Sequence, residues 1–111
     1  MTASINELKP VVKSGRLLGI NRPGYTLARA LAASTAESMT VPSYAAFVLL
    51  VGTVDFYVNF TTTATVPGDT TDGSASLLIP GGCPMIFSLS GSTAVSVISA
   101  YTCIVTGSFY A

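Results

Sequence analysis

Few side chains in this 111-residue chain could do chemistry. There is no histidine, so the commonest general base and metal ligand is missing and a serine–histidine–acid relay cannot be assembled. A two-carboxylate mechanism would draw its pair from Glu37, Asp55, Asp69 and Asp72. Asp69 and Asp72 stand three apart inside the run Pro67-Gly68-Asp69-Thr70-Thr71-Asp72-Gly73, where such a spacing shapes a turn more readily than a catalytic pair. That run also lacks the alternating acids and closing glutamate of a calcium loop.

Cys83 and Cys103 without histidine cannot complete a four-ligand zinc site within one chain. They read as two small buried apolar residues rather than as a disulfide. Pro80-Gly81-Gly82-Cys83-Pro84 places prolines where a phosphate cradle needs backbone N–H donors. Asn59-Phe60-Thr61 matches a glycosylation sequon, but its centre falls in a predicted strand. The expectation is a protein with no catalytic residue, no cofactor and no metal, and hence no enzyme.

Composition points the same way. Half of the residues are apolar and only 9 % are charged, against roughly 25 % in an ordinary soluble domain. Disorder is excluded, because unfolded segments are poor in apolar residues and rich in like charge. A free-standing soluble enzyme is disfavoured, since ten charges leave little to keep a small monomer dispersed. The apolar run Tyr44 to Val54 is interrupted by Gly52 and Thr53 and closed by Asp55, well short of the ~18–20 residues of a membrane-spanning helix. No apolar stretch followed by small residues marks an export signal near Glu7, Lys9 and Lys13. These features describe a compact domain, without a membrane partner, whose surface is covered by something else.

The zero net charge hides a dipolar chain. Lys9, Lys13, Arg16, Arg22 and Arg29 all precede position 30 and are opposed there only by Glu7, whereas Glu37, Asp55, Asp69 and Asp72 follow with no Lys or Arg. Residues 1–25 are punctuated by Pro10, Gly15, Gly19, Pro23 and Gly24 and keep no sustained apolar period. They read as an extended basic arm. Its charge is sparse for nucleic acid, and its only aromatic, Tyr25, lies at its end, so stacking on bases is poorly served. Six apolar residues between Leu8 and Ile20 are too many for a solvated tail. The arm is expected to dock on a protein partner, with Lys13, Arg16 and Arg22 as charged anchors and Leu17, Leu18 and Tyr25 as apolar contacts.

Residues 26–111 read as short strands. The chain holds 27 serines and threonines; Thr suits a pleated surface, whereas both compete with a helix for backbone hydrogen bonds. Tyr44–Val51 predicts a strand buried on both faces, Phe56–Phe60 alternates with period two, and Ser76–Ile79, Met85–Leu89, Val95–Val97 and Thr102–Tyr110 follow between Gly and Pro. Gly91-Ser92 looks like a tight hairpin connection. Between Thr26 and Val41, helix propensity competes with Leu27, Arg29 and Leu31 on one face at period two. Two strands with a turn near Ser34-Thr35 are expected there. The predicted fold is all-β, an antiparallel sandwich or jelly roll of about eight short strands.

The body resembles a family of small β-proteins encoded among the head genes of tailed bacteriophages, several of which are capsid cement or decoration proteins. The resemblance spans positions 26 to 111. It rests on Ala30-Leu31-Ala32-Ala33 leading to Val41-Pro42, on Asp55-Phe56-Tyr57-Val58, Val66-Pro67 and Thr71-Asp72-Gly73-Ser74, and on Val97-Ile98-Ser99-Ala100 and Ser108-Phe109-Tyr110. It implies a structural virion protein on the capsid surface, assembled in the host bacterial cytoplasm. Its partners would be neighbouring major capsid subunits, which it clamps, and copies of itself in a dimer or trimer. The alternatives are a head–tail adaptor, tail or fibre component, and a carbohydrate- or receptor-binding module using Tyr25, Tyr44, Tyr57, Tyr101 and Tyr110 as stacking surfaces.

Overall fold

A computed structural model describes residues 6–8, 10–13, 16–20, 22–68 and 76–111, with 10–13 and 16–20 as backbone alone. The described residues form ten strands and no helix. β1 (Pro10–Lys13) and β2 (Arg16–Ile20) pair only with each other, with a shift of register between Val11 and Val12. The other eight make two antiparallel sheets. One, in the order β3-β10-β5-β8, contains β3 (Tyr25–Leu31), β10 (Cys103–Tyr110), β5 (Phe47–Gly52) and β8 (Met85–Ser88). The second, β4-β9-β6-β7, contains β4 (Glu37–Thr40), β9 (Ala94–Ile98), β6 (Phe56–Asn59) and β7 (Leu77–Ile79).

Alternation builds the core. Val48, Leu50, Val105 and Phe109 of the first sheet and Met39, Val58, Val95 and Val97 of the second are buried. Such a large side chain contributes about 1.5–3 kcal/mol when fully buried. Gly107 lies among them on β10, where a Cβ would sit 2.9 Å from Met39 Sδ; the space a side chain would take is already filled by methionine.

One end of the body is tied by hydrogen bonds between its connections. Ser34 N–H donates to Ser99 O at 2.7 Å, Ser99 Oγ donates to Asp55 O at 2.7 Å, and Gly81 N–H donates to Asp55 Oδ1 at 2.8 Å. A Cβ on Gly81 would lie 2.6 Å from Val54 Cα, so two backbones touch here and only glycine fits.

Several expectations hold and several are corrected. The eight body strands are present, and the stretch from Thr26 to Val41 is indeed two strands with Ser34 at positive φ in the turn between them. The strand expected from Tyr44 begins at Phe47; Tyr44 stands in a turn at φ 67° and is exposed. Gly91-Ser92 is not a hairpin connection, because β8 and β9 belong to different sheets. A short turn between strands is compatible with either arrangement, and burial of Val95 and Val97 draws β9 onto β4 and β6. The segment expected to be an extended arm contains the β1–β2 ladder. The Asp69–Gly73 part of the expected loop lies outside the described residues.

Both cysteines are free; Cys103 is buried as expected, while Cys83 is exposed. A thiol reagent should therefore label one equivalent in the native protein, at Cys83, and a second only on unfolding. Mass spectrometry of the labelled chain checks this, and labelling of Cys103 at the same rate would contradict it.

Candidate docking surface

The outward positions of the first sheet form a surface of unusual chemistry. Register places Ile104 beside Ala30, Thr106 between Ala28 and Val51, and Ser108 between Thr26 and Leu49. Leu49 is in turn opposite Ile86 of β8. Their neighbours along each strand, Val48, Leu50, Val105 and Gly107, are buried, so alternation turns this set to the outside. Thr26 Oγ1 donates to Ser108 Oγ at 3.3 Å across the same face. No ionisable side chain occurs among these outward residues: the face is small, aliphatic and hydroxylated. Four strands about 4.8 Å apart and about six residues long give a plate on the order of 400 Å². A standard stable interface takes about 800 Å² per partner, so the plate supplies about half.

The outer face of the second sheet is covered in part by the protein itself, around Asn59 and Ser96, while Ser38, Thr40, Ala94 and Leu78 stay exposed. Asn59 and Ser96 are directly opposite in the ladder and both buried. Asn59 Oδ1 accepts from Thr61 N–H at 3.0 Å, Thr61 Oγ1 at 3.0 Å and Thr62 N–H at 2.9 Å. Ser96 Oγ accepts from Ala64 N–H at 2.8 Å, and Ser76 Oγ accepts from Thr65 N–H at 3.1 Å. Each buried side-chain oxygen thus satisfies backbone donors of the connection that leaves β6, holding it against the sheet with Ala64 buried. The sequon asparagine is consumed by this network. Beside it lies a groove of about 520 Å³, walled by Ser38, Thr61, Thr62, Thr63 and Thr93 with Glu37 as its one charged residue.

The residues expected to bind a partner are distributed as follows. Lys13 closes β1 and is opposite Arg16, which opens β2; Leu17 is opposite Val12, and Leu18 lies next to it in β2. Arg22 is exposed, and its carbonyl accepts from Asn6 Nδ2 at 2.8 Å. Tyr25 belongs to the body: it opens β3 opposite Phe109 and meets that ring edge-on, with centroids 6.2 Å apart. Asn6 and Leu8 are joined to the body through Ala111, whose N–H donates to Asn6 O at 2.9 Å. Among the described residues no backbone hydrogen bond links β1 or β2 to the eight-stranded body.

The tyrosines do not converge. Tyr44 and Tyr101 are strongly exposed, Tyr25 and Tyr57 half-buried and Tyr110 buried. Tyr44 lies just before β5 and Tyr101 just before β10; those strands are antiparallel, so the two rings stand at opposite ends of the sheet. They form no common stacking platform.

No protein-family model, curated protein or solved structure matches the chain. Sequence reading did not single out the uncharged plate. The signal was the complement of a pattern already visible: when Leu27, Arg29 and Leu31 share one face, Thr26, Ala28 and Ala30 share the other.

Proposed function

We propose that this protein is a structural component of a viral shell, a capsid cement or decoration protein of a tailed bacteriophage, that binds neighbouring shell subunits through the uncharged plate and the basic N-terminal segment. The observation that carries this reading is the solvent-exposed part of the outer face of β3-β10-β5-β8, which has no charged residue, while the connection after β6 covers part of the opposite outer face. A surface of this kind loses little on dehydration, because no charge must be stripped of water, and its aliphatic groups gain on burial. The resemblance of residues 26–111 to head-gene β-proteins points to major capsid subunits as the partner, and a shell setting would account for a surface so poor in charge.

We also infer that the body is a jelly roll. The order β3-β10-β5-β8 facing β4-β9-β6-β7 places the first and last body strands side by side and sends successive strands to alternate sheets, except from β6 to β7. That is the connectivity of two interleaved Greek keys, a plan used by capsid and lectin domains. Function rests on the surface rather than on the plan.

Since the plate alone falls short of a standard interface, the segment before β3 supplies the remaining contact and ties it to the body by a short tether, raising effective concentration. Deleting residues 1–24 removes none of the eight body strands. The truncated protein should therefore keep its circular dichroism and cooperative melting yet fail to enter purified shells. Full occupancy without the segment would refute its docking role.

A further inference from the structure

The body has two sides where sheet edges lie open, and they differ. On one, β3 and β4 are the edge strands, and charge guards them. Arg29 of β3 reaches over to β4, donating from Nε to Ser38 O at 3.2 Å, and Glu37 opens β4. Charged residues at an edge are the ordinary protection against pairing with another chain. On the other side, β7 and β8 are the edges, and neither Leu77–Ile79 nor Met85–Ser88 contains a charge or a proline. Leu77, Leu78, Met85 and Ile86 are exposed there, between 37 % and 49 %. This unguarded edge presents main-chain groups as well as apolar side chains, so its occupant must be an extended strand that brings no charge.

We propose that the occupant is β8 of a second copy, paired antiparallel about a two-fold axis so that two four-stranded sheets become one of eight. The backbone fixes the register. Leu89 N–H donates inward to Ala46 O at 2.8 Å; alternation along the strand then turns the N–H and C=O of Ile86 and Ser88 to the open edge. With the axis at Phe87, Ile86 meets Ser88 of the partner subunit and Ser88 meets Ile86 of the partner subunit, and in each pair both bonds can be exchanged. β8 is thus complementary to itself in donors, acceptors and charge, as an isologous contact requires. Such a pairing leaves the plate continuous across both copies, with Ile86 at the join.

Sedimentation equilibrium of the purified full-length protein tests this without any shell, so its failure and that of the shell reading are distinguishable. The expected mass is twice that of one chain. Ile86→Lys, at an exposed position, should return the monomer mass while keeping the parent's circular dichroism, with a melting temperature that no longer depends on concentration. Ser88→Pro should do the same, since it removes an N–H that points away from β5. In a Cys83→Ser background, Ile86→Cys with Ser88→Cys should form a covalent dimer under oxidation. A monomer at all concentrations, an oligomer that both edge variants leave intact, or a dimer that the two cysteines fail to link would overturn the proposal.

Discussion

Shells assembled with the Thr106→Arg variant should carry almost none of this protein. Thr106 lies in the middle of the plate, between Ala28 and Val51, and neither neighbour can pair with a guanidinium. A charge pressed into such a contact without a partner costs several kcal/mol. Even about 3 kcal/mol would weaken binding on the order of 100-fold. The side chain points away from the core formed by Val105, Gly107 and Phe109, so the variant should fold and melt as the parent does. Glu37→Arg, placed in the groove at the other sheet, serves as the control and should leave incorporation unchanged. Quantifying both variants by gel densitometry of purified particles decides the matter; equal occupancy would remove the plate from the interface.

The largest stability loss without a change in core volume is expected for Asn59→Ala. Its side-chain oxygen receives three hydrogen bonds from Thr61 and Thr62, and Nδ2 donates to Ser76 Oγ at 3.4 Å. At about 1 kcal/mol net for a typical bond, losing these bonds should cost about 2–4 kcal/mol. Urea unfolding should show an earlier midpoint, and limited proteolysis should cut the connection after β6 in the native state. Asn59→Asp keeps the accepting oxygens and should lose less. Equal stability of Asn59→Ala and the parent would show that the connection is held without Asn59, by packing of Ala64 and the bonds to Ser96 and Ser76.

Much of the fold was legible because burial follows period two. Phe56 and Val58, Val95 and Val97, and the run from Cys103 to Tyr110 marked strands correctly, and Ala-rich Tyr25–Leu31 was rescued from a helical reading by its alternating large residues. What period two does not encode is which strand pairs with which. Gly91-Ser92 could equally have closed a hairpin or carried the chain to the other sheet, and only the shared core chose. Polar burial was equally illegible: Asn59 and Ser96 look like ordinary solvent-facing residues until the connection beyond β6 folds back onto them. Tyr25 looked like the end of an arm because Pro23 and Gly24 precede it, yet its pairing with Phe109 is set by a strand more than 80 positions away. The plate could be read only as the residue of the buried pattern, because its chemistry consists in charges that are missing.

A density map of the native particle, resolved well enough to count and orient this polypeptide, tests the central claim most directly. The account predicts copies repeated over the shell lattice, in the hundreds, with the outer face of β3-β10-β5-β8 pressed against neighbouring subunits. A dozen copies or fewer on the tail axis, or a shell-bound protein with that face turned to solvent, would contradict it.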